Sequence, residues 1–108
     1  MIKPNLALLS AQAEIVKAMA HPTRLMIIKV LSEREHCVCE LTELAGVDTS
    51  TVSKHLSVLK SAGIVAIDKR GLMVFYRLVM PCTANFMGCL ESVIKERAQA
   101  HLALVEQA

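Results

Sequence analysis

Aromatic residues are scarce in this sequence, which has two phenylalanines, one tyrosine and no tryptophan among its 108 residues. Hydrophobic residues nevertheless make up 54% of the chain. A chain of this length forms one domain with a modest core, and so much aliphatic surface exceeds what one small core can bury. We therefore predict a single domain over residues 1–108 that buries its surplus apolar surface by forming a dimer.

Long hydrophobic runs are also absent. No uninterrupted apolar stretch approaches the roughly 20 residues that a membrane-spanning helix needs. The N-terminus lacks the charged and then apolar layout of a signal peptide. These absences argue against a membrane partner and predict a cytoplasmic protein, in which the four cysteines are expected to be reduced thiols.

Two motifs of catalysis are missing as well. The chain has no Cys-x-x-Cys sequence, which is typical of thiol-dependent reductases, and no glycine-rich loop that would cradle a phosphate group. We therefore predict that the protein is not an enzyme.

Net charge is small but unevenly distributed. The formal charge is +2, and residues 48–79 carry five basic against two acidic side chains, whereas residues 1–47 are balanced and residues 80–108 have one acidic residue in excess. A positive excess confined to one segment is typical of a nucleic-acid surface. Because the excess is small, binding to DNA would need the doubled positive charge of a dimer.

Two helix patterns joined by a tight turn occupy the middle of the chain. The first carries Leu41, Leu44 and Ala45 as its apolar stripe and ends at Gly46, a residue that adopts the left-handed conformation without a Cβ clash. The second begins after Asp48, a good N-cap. Its apolar face consists of Val52, Leu56, Leu59 and Ala62. This arrangement predicts a helix-turn-helix.

The opposite face of the second helix has a composition suited to DNA. Short hydroxyl side chains at a helix N-terminus can approach phosphates beside free backbone N–H groups, and longer basic side chains reach further. An ordinary solvated helix face is the alternative. The candidate DNA-binding residues on this helix are Ser50, Thr51, Ser53, Lys54, His55 and Ser57.

A β-hairpin is predicted directly after this helix. Its strands are residues 64–67 and 72–79, joined by the polar turn Asp68-Lys69-Arg70-Gly71. A basic turn is usually only solvated, but after a helix-turn-helix it can lie along the sugar-phosphate backbone. Lys69 and Arg70 are therefore candidate DNA-binding residues.

The first and last helices are the candidate dimer elements. Helix one, over residues 6–20, has an apolar stripe of Leu6, Leu9, Ala13, Val16 and Ala20, with Ile15 and Met19 on a second flank. A helix with two apolar flanks needs two neighbours, its own domain and a partner; complete burial in its own core is the alternative. The last helix begins at Pro81, and its stripe is Phe86, Leu90, Val93, Ile94 and Arg97.

Similarity to a known family rests on three segments: Cys-Val-Cys-Glu-Leu at 37–41, residues 50–65, and Arg-Gly-Leu-Met-Val-Phe-Tyr-Arg-Leu at 70–78. Over about residues 18–79 the chain resembles the ArsR/SmtB family of bacterial metal-responsive transcriptional repressors. The resemblance implies a mainly α winged helix-turn-helix with a two-stranded β-hairpin wing, dimeric through the first and last helices (1–20 and 81–108). It also implies binding to an inverted-repeat operator in double-stranded DNA and release by a soft metal or metalloid.

The cysteine pair, Cys37 and Cys39, looks like the inducer site of the arsenite and antimonite branch. Two sulfurs two residues apart share a face only on an extended segment, because on a helix they point about 200° apart. Winged-helix domains generally have a short extended piece here that pairs with the last strand of the wing. We therefore expect Cys37 on that piece and Cys39 at or just before a helix beginning at Glu40, whose N-terminus would stabilise a thiolate.

The ligand set departs from the family pattern in one position. The best-known arsenite site has a third cysteine three residues after the second, where this chain has Thr42. A third thiolate would have to be Cys82, the nearer candidate within a protomer, or Cys89; both are otherwise buried small hydrophobes. Three thiolates suit As(III) or Sb(III), and four suit Cd, Pb or Zn. A thiol-based redox or persulfide sensor of the same fold is the alternative function.

Overall fold

A computed structural model of the protein describes residues 3–107, so both ends of the predicted domain, residues 1–2 and 108, lie outside it. No helix within these bounds has the length and apolar composition needed to cross a membrane. Five helices and three strands make up this part of the chain: α1 (Leu6–Met19), α2 (Pro22–Glu33), β1 (His36–Cys37), α3 (Val38–Ala45), α4 (Thr49–Ser61), β2 (Val65–Arg70), β3 (Met73–Leu78) and α5 (Pro81–Glu106).

The predicted helix-turn-helix consists of α3 and α4. Gly46 ends α3 in the left-handed conformation, with φ of +67°. Asp48 caps α4, because its Oδ1 accepts the Thr51 backbone N–H at 3.1 Å. The start of α3 was predicted two residues too late, since the Glu40 carboxylate accepts the Cys37 backbone N–H at 3.2 Å and so closes a first turn that begins at Val38. Cys39 consequently lies inside the helix and not before it.

The three strands form one antiparallel sheet in the order β1-β3-β2. The predicted pairing of the segment before α3 with the last strand is confirmed, since His36 pairs with Tyr76 and Cys37 with Phe75. The predicted turn at 68–71 is wrong. Residues 68–70 continue β2, and Gly71, with φ of +62°, begins a two-residue connection to β3.

The core lies between α2, α4 and the inner faces of α3 and the sheet. Its fully buried side chains are Ile27, Ile28, Leu41, Val52, Leu56, Leu59 and Ile64. The prediction that Leu44 belongs to the apolar stripe of α3 is wrong, because its side chain is 56% exposed. In an eight-residue helix only Leu41 is buried, and the position three residues later faces outward.

Replacement of Leu56 by Ala is expected to lower the free energy of unfolding by about 2 to 5 kcal/mol, because the substitution leaves a cavity in a fully packed core. Leu44→Ala is the matched control and should change it by about 0.5 kcal/mol or less. Urea denaturation at one fixed protein concentration measures both values. Equal losses in the two variants would contradict this description of the core.

Helix α1 buries one flank and exposes the other. Ala18 and Met19 belong to the core and Ile15 packs against it, whereas Leu9 and Val16 of the predicted stripe are 49% and 50% exposed. Of the two alternatives for this helix, complete burial in its own core is therefore wrong for a single protomer. The accessible surface of the chain is 7781 Å², whereas a monomeric protein of this mass exposes about 5,900 Å².

Candidate DNA-binding surface and cysteine site

The polar face of α4 projects from the domain as predicted. Ser53, Lys54 and Ser57 are exposed, and Thr51 is half-buried. Ser50 is exposed and its hydroxyl donates to Asp48 Oδ2 at 3.1 Å. The hydrogen bonds from Thr51 and Ser50 lower the pKa of Asp48, which keeps the N-cap ionised. The exposed side chains thus surround a helix N-terminus that the Asp48 carboxylate already caps.

His55 differs from the other predicted residues of this face. Its imidazole is half-buried and lies 4.3 Å, ring centroid to ring centroid, from that of His21. Burial lowers the pKa of His55, and the nearby His21 and Arg24 lower it further. His21 also caps α2, because its Nδ1 accepts the Thr23 N–H at 3.1 Å. His55 therefore connects α4 to the start of α2, a contact that helical spacing alone did not indicate.

The wing carries the other two predicted DNA-binding residues on β2. Lys69 is exposed. The Arg70 guanidinium is held between two carboxylates, with Nη1 2.6 Å from Glu35 Oε1 and Nη2 2.9 Å from Asp68 Oδ2, and it lies 4.7 Å from the centre of the Phe75 ring. We call this group (Arg70 with Glu35, Asp68 and Phe75) the arginine clamp. The two carboxylates raise the pKa of Arg70.

The cysteine pair lies where β1 becomes α3. Cys37 is the N-cap residue, with extended backbone angles, and Cys39 belongs to the first turn of the helix. This bend brings the two sulfurs together, and the structure joins them in a disulfide with Cα atoms 5.4 Å apart. The expectation of four reduced thiols does not describe this state. Cys37 is buried, whereas Cys39 is exposed.

An ion pair braces the segment that carries the cysteines. Arg34 Nη2 lies 2.6 Å from Glu40 Oε2, and Arg34 Nη1 donates to the Glu35 carbonyl oxygen at 2.9 Å. The hydrogen bonds from Arg34 and from the Cys37 backbone lower the pKa of Glu40. Sequence reasoning missed this role of Glu40, although a glutamate three residues after an N-cap is a known signal for the start of a helix.

The other two cysteines are not brought into a ligand set within the protomer. Cys82, in the first turn of α5, and Cys89 are both free and exposed, so neither is the buried small hydrophobe of the alternative interpretation. Among residues 3–107, no three His, Cys, Asp or Glu side chains are grouped so that they could hold a metal ion. Two sulfurs in contact at a helix N-terminus therefore supply part of a thiolate site for a soft ion, and a third donor would have to come from elsewhere.

The fold is that of a winged helix-turn-helix DNA-binding protein. Helices α2, α3 and α4 pack together, α4 is capped and exposes its polar face, and the β2-β3 hairpin follows it. Residues 21–66 match the model of the bacterial regulatory proteins of the arsR family. The chain is also 47% identical over 68 residues to an uncharacterized HTH-type transcriptional regulator, MJ1325 of Methanocaldococcus jannaschii, a match that covers 62% of this chain and 76% of that protein. The chain belongs to the arsR family and is a DNA-binding transcriptional repressor, not an enzyme.

Solved structures support the fold over most of the chain. The crystal structure of the transcriptional repressor BigR from Xylella fastidiosa is 33% identical, with a TM-score of 0.72 over 78% of this chain and 86% of that one. The solution structure of a homodimeric winged helix-turn-helix domain, Mb0332 from Mycobacterium bovis, is 28% identical, with a TM-score of 0.76 over 92% of this chain and 94% of that one. Both similarities extend over most of the elements described above.

Proposed function

We propose that this repressor binds operator DNA while the cysteine pair is reduced and leaves it when the two sulfurs become joined. The observation that carries the proposal is the disulfide between an N-cap residue and the first turn of the helix that supports α4. Cytoplasmic thiols are reduced by default. Oxidation of the pair would therefore be a change from the reduced state, and it would occur at the N-terminus of α3, the helix that supports α4.

The chemistry needs an oxidant, for which a peroxide is the simplest class. The thiolate of Cys39, which is exposed, attacks one peroxide oxygen, breaks the O–O bond and becomes a sulfenic acid as hydroxide leaves. The Cys37 thiolate then attacks the Cys39 sulfur and displaces a second hydroxide. Two thiols and hydrogen peroxide thus give one disulfide and two waters, with two electrons transferred.

The signal reaches DNA because α3 and α4 form one unit. Cys37 and Cys39 flank the start of α3, and α3 holds α4 through the shared core residues Leu41 and Leu56. A change in the sulfur spacing shifts α3 and with it the angle of α4. The free-energy difference needed is a coupling between two conformations, typically about 1 to 3 kcal/mol in allosteric proteins.

A soft metal or metalloid is the second candidate signal. It is favoured by the convergence of two sulfurs at one point, since reduced thiolates in that position would suit As(III) or Sb(III), and, with more donors, Cd, Pb or Zn. The ion would supply a bridge between the thiolates. A third donor would be Cys82 or Cys89 of either protomer, both of which are exposed.

We propose further that the whole chain, 1–108, is one winged helix-turn-helix domain that dimerises through residues 1–20 and 81–108. Support comes from the exposed stripe of α1, from Leu90 and Ile94 on α5, which are 43% and 65% exposed, and from the homodimeric relative. A two-fold dimer would set the two α4 helices about 34 to 36 Å apart, as successive major grooves of an inverted-repeat operator require.

The DNA contacts that we propose are Ser50, Thr51, Ser53, Lys54, His55 and Ser57 on α4, with Lys69 and Arg70 on the wing.

Lys54→Ala is expected to weaken binding and to flatten the salt dependence of the dissociation constant by about one unit of slope for each phosphate that Lys54 neutralises. Fluorescence anisotropy over a series of salt concentrations, with DNA from upstream of the protein's own gene, measures this slope. Lys29→Ala, on the exposed side of α2, is the control. Equal slopes for Lys54→Ala and the native protein would remove Lys54 from the interface.

The two signals are separated by one titration series. The complex is formed in a phosphine reductant, which is not a thiol, and aliquots are treated with peroxide or with arsenite. Release by peroxide after removal of the reductant supports the disulfide mechanism, and release by arsenite in its presence supports metalloid binding. The cysteine pair would be ruled out as a sensor if the complex survives arsenite while the pair is fully reduced and also survives peroxide once the pair is fully oxidised.

A further inference from the structure

The arginine clamp occupies three of the five N–H donors of Arg70, including the Nη1 and Nη2 pair at the outer end of the guanidinium. Glu35 binds Arg70 in a two-pronged arrangement, with Nη1 to Oε1 at 2.6 Å and Nη2 to Oε2 at 2.9 Å. Asp68 takes a second bond from Nη2 at 2.9 Å. A phosphate is recognised by arginine through the same two-pronged geometry. Arg70 therefore cannot hold Glu35 and a phosphate in this way at the same time.

The clamp also lowers the positive charge that the wing presents. One guanidinium and two carboxylates have a formal charge of −1, and Glu35 adds its negative charge beside a wing whose residues 65–78 carry three basic side chains against one acidic. A carboxylate close to the sugar-phosphate backbone is repelled by the negative charge of the phosphates. The clamp thus weakens the attraction of the wing for DNA, whereas Arg70 freed from Glu35 would add to it.

Glu35 is connected to the cysteine pair by a chain of hydrogen bonds. Its carbonyl oxygen accepts from Arg34, Arg34 pairs with Glu40, and Glu40 accepts the Cys37 backbone N–H at 3.2 Å. Each step is short in sequence, and the Arg34–Glu40 pair spans the junction between β1 and α3. The position of Cys37 relative to α3 is therefore coupled to the backbone of Glu35.

A second connection runs across the sheet. Cys37 is paired with Phe75, and Phe75 is paired with Asp68 on its other side. Directly opposed residues of an antiparallel pair project to the same face. The Arg70 guanidinium, 4.7 Å from the Phe75 ring centre, lies over this row. Two of the three residues that hold Arg70 thus share a row of the sheet with Cys37.

We propose that Glu35 is a positioning residue of the wing, which holds Arg70 away from DNA while Cys37 and Cys39 are joined and releases it to a phosphate when they are reduced. This inference rests on the proposed thiol-disulfide switch and adds the wing to the elements that the switch controls. Arg70 is half exposed in the clamp, so the effect is a modest one that adds to the movement of α4.

The test is a double-mutant cycle on the full-length protein, with Glu35→Gln, Arg70→Ala and the double variant. The dissociation constant for DNA from upstream of its own gene is measured by anisotropy over a range of salt concentrations, with the pair fully reduced and fully oxidised. Glu43→Gln is the control, because Glu43 is also an exposed glutamate and lies on α3, outside both proposed dimer elements. It corrects for the loss of one negative charge.

Glu35→Gln is expected to tighten DNA binding of the oxidised protein by about fivefold for each wing, and to steepen its salt dependence by about one unit of slope for each additional phosphate that is bound. The effect should be smaller in the reduced protein and absent in the Arg70→Ala background. An effect no larger than that of Glu43→Gln, or one that persists without Arg70, would overturn the proposed role of the clamp.

The failure of the switch itself gives a different result. If oxidation leaves the dissociation constant of the native protein unchanged, the proposed function is wrong whatever the variants do. If the native protein responds to oxidation but Glu35→Gln has the same effect in both states, the switch stands and the role assigned to Glu35 is wrong.

Discussion

Leu9→Asp is expected to split the dimer and to raise the dissociation constant for operator DNA by about a hundredfold or more. Leu9 lies in the middle of the α1 stripe and is 49% exposed in the protomer. If a partner covers this stripe, the new carboxylate would be buried without a counter-ion, at a cost of several kcal/mol, which is about two to three decades in an equilibrium constant. A single protomer then meets only one half of an inverted repeat.

Light scattering at micromolar concentration and anisotropy with the operator measure the two effects on the same sample. Ala7→Asp is the matched control, because Ala7 is exposed and lies two residues before Leu9, so the same charge is added to α1 on the side away from the stripe. The control should remain a dimer with native affinity. A dimeric Leu9→Asp variant with native affinity would show that the stripe of α1 is not the interface.

Cys37→Ser and Cys39→Ser are each expected to give a repressor that binds DNA normally and no longer leaves it after peroxide or arsenite treatment. Neither serine can form the disulfide or supply a thiolate. Each substitution should therefore abolish the whole change in DNA affinity that the signal causes, which is about 5- to 150-fold in a typical allosteric protein. The side chain of Cys39 is exposed, so Cys39→Ser should leave the fold intact.

The remaining cysteines serve as the control and also distinguish the two signals. Cys82→Ser and Cys89→Ser should both retain the response to peroxide, since neither cysteine is part of the disulfide. If arsenite needs a third thiolate, Cys82→Ser should weaken its effect more than Cys89→Ser. Release of DNA at the native peroxide and arsenite concentrations in both Cys37→Ser and Cys39→Ser would contradict this assignment of the sensor.

Local signals predicted most of the elements. Gly46 and Asp48 delimit the turn between α3 and α4 because each satisfies a helix end on its own. Pro81 likewise begins α5, and the start of the wing follows Gly63. These features depend on a few neighbouring residues, so a single sequence is enough to recognise them.

The errors arose where distant residues decide the structure. Residues 68–70 look like a polar turn, yet they continue β2 because β3 supplies pairing partners and Glu35, 35 residues away in sequence, binds Arg70. Helical spacing likewise predicted that Leu44 is buried. Its side chain is instead exposed, because no other element of the described residues covers it. Sequence spacing predicted that Cys37 lies on an extended segment beside the start of α3, but it did not indicate the bend at Val38 that joins the two sulfurs.

The most direct test of the switch is a peroxide titration of the preformed operator complex, in which DNA release and the oxidation of the cysteine pair are measured on the same aliquots. Anisotropy gives the fraction of free DNA. Alkylation of the remaining thiols followed by mass spectrometry of the peptide containing Cys37 and Cys39 gives the fraction joined. We predict that the two fractions rise together and that a reductant reverses both. Release while the peptide remains doubly alkylated, or a complete disulfide on DNA that stays bound, would contradict the proposed function.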